Sequence, residues 1–167
     1  NHVSFVDPIV ISAASHRPIR FVMDHRIYRR PLINIIFRHM QAIPIAPARE
    51  DPAMMDAAFE AVAQALAEGE LVGIFPEGRI TDTGEFYPFR PGVQRIVDRT
   101  PVPVIPMALQ GLWGSFFSRK DGPAMSRPLR RGLFSRIGLH VGPVVSPAEA
   151  TPARLQEIVT ALRGDWK

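Results

Sequence analysis

Leu71-Val72-Gly73-Ile74-Phe75-Pro76-Glu77-Gly78-Arg79-Ile80-Thr81 runs from an apolar segment straight into a charged turn. Leu71, Val72, Ile74 and Phe75 read as a buried strand, and Pro76, which has no N–H for a ladder, stops it. An acid, a glycine and a base follow with no spacer. Upstream, Asp51-Pro52 is a cap signal that opens a helix with Met55, Phe59, Val62 and Leu66 on one stripe, closed by Gly69. Helix followed by a short apolar strand is half of a βαβ unit. The strand's carboxyl end is then where an α/β protein binds its ligand.

The same alternation extends outward in both directions. Asp7-Pro8 reads as an N-cap and first helical position of a helix to about Ser15. Ile19 to Met23 reads as a strand. Pro31 opens a helix with Leu32, Ile35, Ile36 and Met40 on one face, and Ile43 to Ala46 is a short strand. Downstream, Pro91-Gly92 leads into a helix around Val93 to Val97. Val102 to Leu109 reads as a strand that Pro103 and Pro106 push to an edge or bulge. Ile137 to Val141 is another strand. Thr151-Pro152 caps a last helix with Leu155, Ile158, Val159 and Leu162 inward. Strands alternating with helices predict one α/β domain, a mostly parallel central sheet flanked by helices.

Composition bounds the rest. The 167 residues suffice for one domain with a sizeable core. Hydrophobic residues are 46% and charged residues 22%, an ordinary globular balance. Cys is absent, which excludes disulfides, thiolate zinc sites and a Cys nucleophile. The formal charge is +4, and of 20 basic residues only Lys120 and Lys167 are lysines. Arg's planar fork suits phosphate and carboxylate, although Ala and Pro abundance also fits a base-composition bias. No run of about 18 apolar residues marks a spanning helix, and no signal peptide is visible. The first residue already belongs to a motif, so the chain reads as an excised part, residues 1–167, of a larger protein with N-terminal elements missing.

That motif is Asn1-His2-Val3-Ser4-Phe5-Val6-Asp7. If the chain turns from loop into helix, Asp7 can accept from one ring nitrogen of His2. The other nitrogen is then free to take a proton from a hydroxyl. The plain alternative is a loop histidine beside a helix cap. In FPEGRIT, Gly78 permits close backbone approach, Arg79 suits a phosphate, and Glu77 suits a hydroxyl or backbone donors.

Taken together and about 70 residues apart, NHVSFVD and GIFPEGRIT resemble the lysophospholipid (glycerolipid) acyltransferase family, with its N-H-x-S-x-x-D and F-P-E-G stretches. Val102-Pro103-Val104-Ile105-Pro106-Met107 is similar to the family's later proline-bearing stretch. FPEGRIT, AIPIAP and GLWGSFF look more narrowly like the 2-acylglycerophosphoethanolamine acyltransferase subgroup. Its domain is often fused to a transporter-like or acyl-activating domain.

The resemblance implies a glycerolipid acyltransferase-like fold and transfer of a fatty acyl group from an acyl-carrier-protein or coenzyme A thioester to a lysophospholipid hydroxyl. It makes His2 the general base and Asp7 its orienting partner, with no metal, no cofactor and no covalent intermediate. Ser4, Arg49, Glu77, Gly78, Arg79 and Pro106 become substrate contacts, with Arg79 on the phosphate and Pro106 on the acyl side. Two departures touch the phosphate side. Relatives carry F-I-D-R where Arg49 lies about two positions late, and E-G-T-R where Arg79 follows Gly78 at once. The resemblance further implies a membrane-associated protein on the cytoplasmic face, with no nucleic-acid partner.

Residues 111 to 136 mix aromatics with cations: Trp113, Phe116, Phe117, Arg119, Lys120, Arg127, Arg130, Arg131 and Arg136, with Leu129, Leu133 and Phe134 between. They suit a membrane surface or, equally, a core flanked by an exposed basic face. Two other functions remain open at this stage: a basic module that binds membranes or nucleic acid, and a hydrolase that uses the same His-Asp pair on water.

Overall fold

The computed structural model describes residues 1–29, 33–120, 122 and 136–165. Its elements run in the order α1 (Asp7–Ala14), β1 (Ile19–Asp24), α2 (His25–Tyr28), α3 (Ile33–His39), β2 (Ile43–Ile45), α4 (Pro52–Ala67), β3 (Leu71–Gly73), α5 (Gly92–Arg99), β4 (Met107–Gln110), β5 (Gly138–Val141) and α6 (Pro152–Arg163). A three-stranded parallel sheet has the order β2-β1-β3. A separate antiparallel pair joins β4 to β5. The predicted α/β class holds. The parallel part is confined to three strands, with β4 and β5 forming the antiparallel pair.

Helix α4 covers the parallel sheet. Asp51 accepts from the Met54 N–H, as an N-cap should, and Gly69 leaves the helix at φ +77°. Phe59, Val62, Ala58 and Ala65 are buried beneath it, and Ile43, Ala58 and Val62 form one core cluster against Val22 and Val72. Helix α6 is capped by Thr151 and drives Leu155 and Val159 into a second cluster with Val93, Val97 and Ala108. The strand of the opening stretch is shorter than expected. Only Leu71 to Gly73 pair with β1, all half-buried, and Ile74 and Phe75 continue past the sheet.

Three expectations need correction. Asp7 is the first residue of α1 and not its N-cap; Val6 holds that position without a side-chain bond, because the Asp7 carboxylate turns back to the loop before it. Helix α3 does not bury Ile35 and Ile36, which are 70% and 51% exposed; Phe37 is the residue it turns inward. Pro31 and Leu32 lie outside the described residues. The stretch from Val102 to Leu109 is not one strand. Pro103 and Pro106 cannot donate, so Val104 makes an isolated bridge to Val145 and regular pairing starts at Met107.

Candidate active site

The first seven residues are held from several sides, which fixes His2. Asn1 behaves like a strand partner of β4: its Nδ2 donates to the Leu109 carbonyl at 2.9 Å, and its Oδ1 accepts from the Leu109 N–H at 2.6 Å. Ser4 bridges to Ser118, and the Phe5 N–H donates to the Phe117 carbonyl. The backbone of His2 is tied twice to the loop after β3. Its N–H donates to Glu77 Oε1 at 3.0 Å, and its carbonyl accepts from the Thr81 N–H at 3.0 Å. Two motifs far apart in sequence thus become one structural unit.

Within that unit, Asp7 Oδ2 collects three donors. His2 Nδ1 lies at 2.8 Å, the Val3 N–H at 2.7 Å and the Ser4 N–H at 2.9 Å. Asp7 is 0% exposed. A carboxylate is acceptor-only when ionised, so it holds the proton on Nδ1 and leaves Nε2 as the acceptor. The imidazole also stacks on Phe75, with centroids 4.1 Å apart and planes 17° from parallel, and Phe75 stacks in turn on Phe21. The ring is therefore fixed in tilt by one neighbour and in tautomer by the other.

His2 opens onto a cavity of about 590 Å³ at the carboxyl ends of the parallel strands. Phe21, Met23 and Ile45 from the sheet, Met55, Phe59 and Val62 from α4, and Ile74 and Phe75 after β3 give it an apolar wall. Arg79, Arg90, Arg95 and Arg119, all exposed, add a basic side, and Asp24 is the one acid among the described lining residues. No Ser, Thr or Cys is among the described residues that line it.

The expected site residues separate into two groups. His2, Gly78 and Arg79 line the cavity, with Asp7 directly behind His2. Arg79 lies flat on Tyr87, its Cζ 3.4 Å from the ring centroid, and the Tyr87 hydroxyl donates to Asp82 at 2.5 Å. Glu77 is behind the wall at 3% exposure, bonded to the His2 backbone. Ser4 is fully buried, and its Oγ accepts from the Val6 N–H. Arg49 is exposed on a turn away from the cavity lining. Pro106 is buried beside β4, where its carbonyl accepts from the Gly142 N–H.

Sequence reasoning missed Arg90 and the anchoring role of Asn1. The signal for Arg90 was a lone cation between Phe89 and the Pro91-Gly92 helix start. Of the aromatic and basic stretch, Trp113 packs its indole against Gly84, where a methyl group would lie 2.6 Å from the ring. Phe117, Arg119, Lys120 and Arg136 are exposed. Arg127, Leu129, Arg130, Arg131, Leu133 and Phe134 lie outside the described residues. Among the described residues, no helix is long and apolar enough to cross a membrane.

Residues 1–110 match the family model described as Acyltransferase. A chloroplastic 1-acyl-sn-glycerol-3-phosphate acyltransferase, BAT2, from Brassica napus is 29% identical over 111 residues, covering 66% of this chain and 31% of its own length. The 1-acyl-sn-glycerol-3-phosphate acyltransferase of Borreliella burgdorferi is 27% identical over 116 residues, covering 65% of this chain and 43% of its own. The chain thus matches less than half the length of either curated relative. The crystal structure of the 1-acyl-sn-glycerophosphate acyltransferase PlsC from Thermotoga maritima superposes with a TM-score of 0.67 at 18% identity, covering 96% of this chain and 61% of that one. The two share a fold.

Proposed function

From the premise that this chain belongs to the acyltransferase family, we propose that it moves a fatty acyl group from a thioester donor to the free hydroxyl of a lysophospholipid or glycerol phosphate lipid. The observation that carries the proposal is the placement of His2, backed by Asp7, on a cavity with an apolar wall and a basic side. An acyl chain fits the first surface and a phosphate the second. Both curated relatives are 1-acyl-sn-glycerol-3-phosphate acyltransferases.

In this reading Nε2 of His2 takes the proton of the acceptor hydroxyl as its oxygen attacks the thioester carbonyl. Asp7 balances the charge on the imidazolium that results. The tetrahedral intermediate collapses, the C–S bond breaks, and the proton on His2 goes to the departing thiolate. General-base assistance of this type supplies roughly 10²–10⁴-fold, and positioning supplies more. Direct transfer is favoured over an acyl-enzyme because the cavity lining offers no Ser, Thr or Cys among the described residues, and the Ser4 hydroxyl is buried. Arg79, held flat on Tyr87, is the proposed partner of the acceptor phosphate. Glu77 acts through the His2 backbone and not on substrate.

Acyl-carrier protein or coenzyme A is the proposed donor carrier. The proposal includes a 2-acylglycerophosphoethanolamine-type acceptor and work at the cytoplasmic face of a membrane. The test is product analysis. The protein is supplied with an acyl-coenzyme A or acyl-carrier-protein thioester, with and without a panel of lysophospholipids. Diacyl product that appears only with an acceptor supports transfer. Free fatty acid released at the same rate without acceptor makes the protein a hydrolase.

A further inference from the structure

We infer that Arg90, which lies outside both motifs, is a specificity-determining residue whose guanidinium grips the phosphate of the acceptor. The inference rests on the acyl-transfer reading above and adds a residue to it. Arg90 lines the same cavity as His2 and Arg79. Its backbone is fixed, since its N–H donates to the Pro76 carbonyl at 2.9 Å. Its guanidinium lies over Gly78: a methyl group there would stand 2.9 Å from Cζ and Nη1 and 3.0 Å from Nε. The side chain thus occupies the space that the missing Cβ of the motif glycine leaves open.

Arg90 differs in its pairing from Arg95 and Arg99. Arg95 also lines the cavity, but Asp56 engages its Nη2 at 2.8 Å and it stacks on Phe59. Arg99, one turn on, is paired with Glu60. The Arg90 guanidinium has no hydrogen-bond or ion-pair partner among the described residues. The lone carboxylate among the described lining residues, Asp24, already accepts from the Arg26 N–H and faces the Arg26 guanidinium. A cation on an anchored backbone, facing a cavity and not neutralised by its own chain, is suited to an anionic ligand, and Arg's fork matches two phosphate oxygens.

The experiment compares wild type, Arg90→Met and Arg90→Lys in acyl transfer from acyl-coenzyme A to a lysophosphatidate, with KM measured for each substrate. Met keeps an unbranched side chain and removes the charge; Lys restores the charge. The expected result is a rise in acceptor KM of roughly 10- to 100-fold for Met, the range for a charge-assisted hydrogen bond, with partial recovery for Lys and no change in donor KM. An unchanged acceptor KM in the Met variant, or equal losses for Met and Lys, overturns the inference. A rise confined to the donor KM also overturns it, since it assigns Arg90 to the donor's phosphates. If the wild type acylates no acceptor at all, the acyl-transfer reading fails first and this one falls with it.

Discussion

The N–H of His2 donates to Glu77 Oε1 over 3.0 Å, and Glu77 is buried. A carboxylate in the F-P-E-G stretch therefore holds the backbone of the residue that faces the cavity. With the Thr81 N–H on the His2 carbonyl, the loop after β3 fixes the height at which the imidazole sits. The acid of the opening stretch is thus part of the scaffold that positions the His2 ring.

Replacing that acid separates its two properties. Glu77→Ala leaves the His2 N–H unsatisfied in a buried place and is expected to cost about 1–3 kcal/mol of stability. It should also lower kcat by up to about 100-fold through misplacement of the ring. Glu77→Gln retains an oxygen acceptor and loses only the buried charge, so its stability should stay within about 1 kcal/mol of wild type. Denaturant unfolding and turnover of both variants check this. Equal damage from Ala and Gln would mean that the charge matters and not the bond.

Gly78 tests the close approach. Its φ is +68°, in the left-handed region, and a Cβ would press on the Arg90 guanidinium. Gly78→Ala is expected to cost about 1–2 kcal/mol from the backbone alone. Because the Arg90 head is the flexible end of a side chain, it should move aside and not unfold the loop. Chemical denaturation gives the first quantity. A higher acceptor KM at nearly constant kcat is the expected kinetic sign.

The platform under Arg79 has a pH signature. The hydrogen bond to Asp82 raises the Tyr87 phenol above its usual value near 10, with burial adding to it. The bond from Tyr87 holds Asp82 below the ordinary carboxylate range, against an opposing effect of burial. For Tyr87 the stabilising contribution is fully present below the unfolded phenol value and is lost as pH rises through the raised one. For Asp82 it is present above the unfolded carboxylate value and is lost as pH falls through the lowered one. The contact is thus intact across neutral pH. Tyrosinate absorbance in a Tyr28→Phe background should titrate above pH 10, and Asp82→Asn should move that midpoint down. No movement would show that the two groups do not interact in solution.

Much of this was legible in the chain because the signals were local. Asp51-Pro52 and Thr151-Pro152 announce α4 and α6, since a cap and its helix are contiguous. The site was legible through His2, Asp7, Gly78 and Arg79, where residue type and spacing carry chemistry. Asp7 misled as a cap because its three donors come from the residues before it, a loop geometry that no helical pattern encodes. Ile35 and Ile36 misled because hydrophobicity does not say which side of α3 meets the core; Phe37 took that side. Pro106 and Arg49 were placed by family pattern, and tertiary packing put them away from the cavity lining. Arg90 was hidden because only the return of the chain from Pro76 to the Pro91 turn brings it over Gly78.

The most direct test is the rate of acyl transfer by His2→Ala beside wild type, with near-identical circular dichroism as the check on folding. His2 is only partly buried and its backbone anchors do not involve its ring, so the variant should fold. The expected result is a kcat loss of about 10²–10⁴-fold. Turnover within a few-fold of wild type would contradict the assignment of this imidazole as the base.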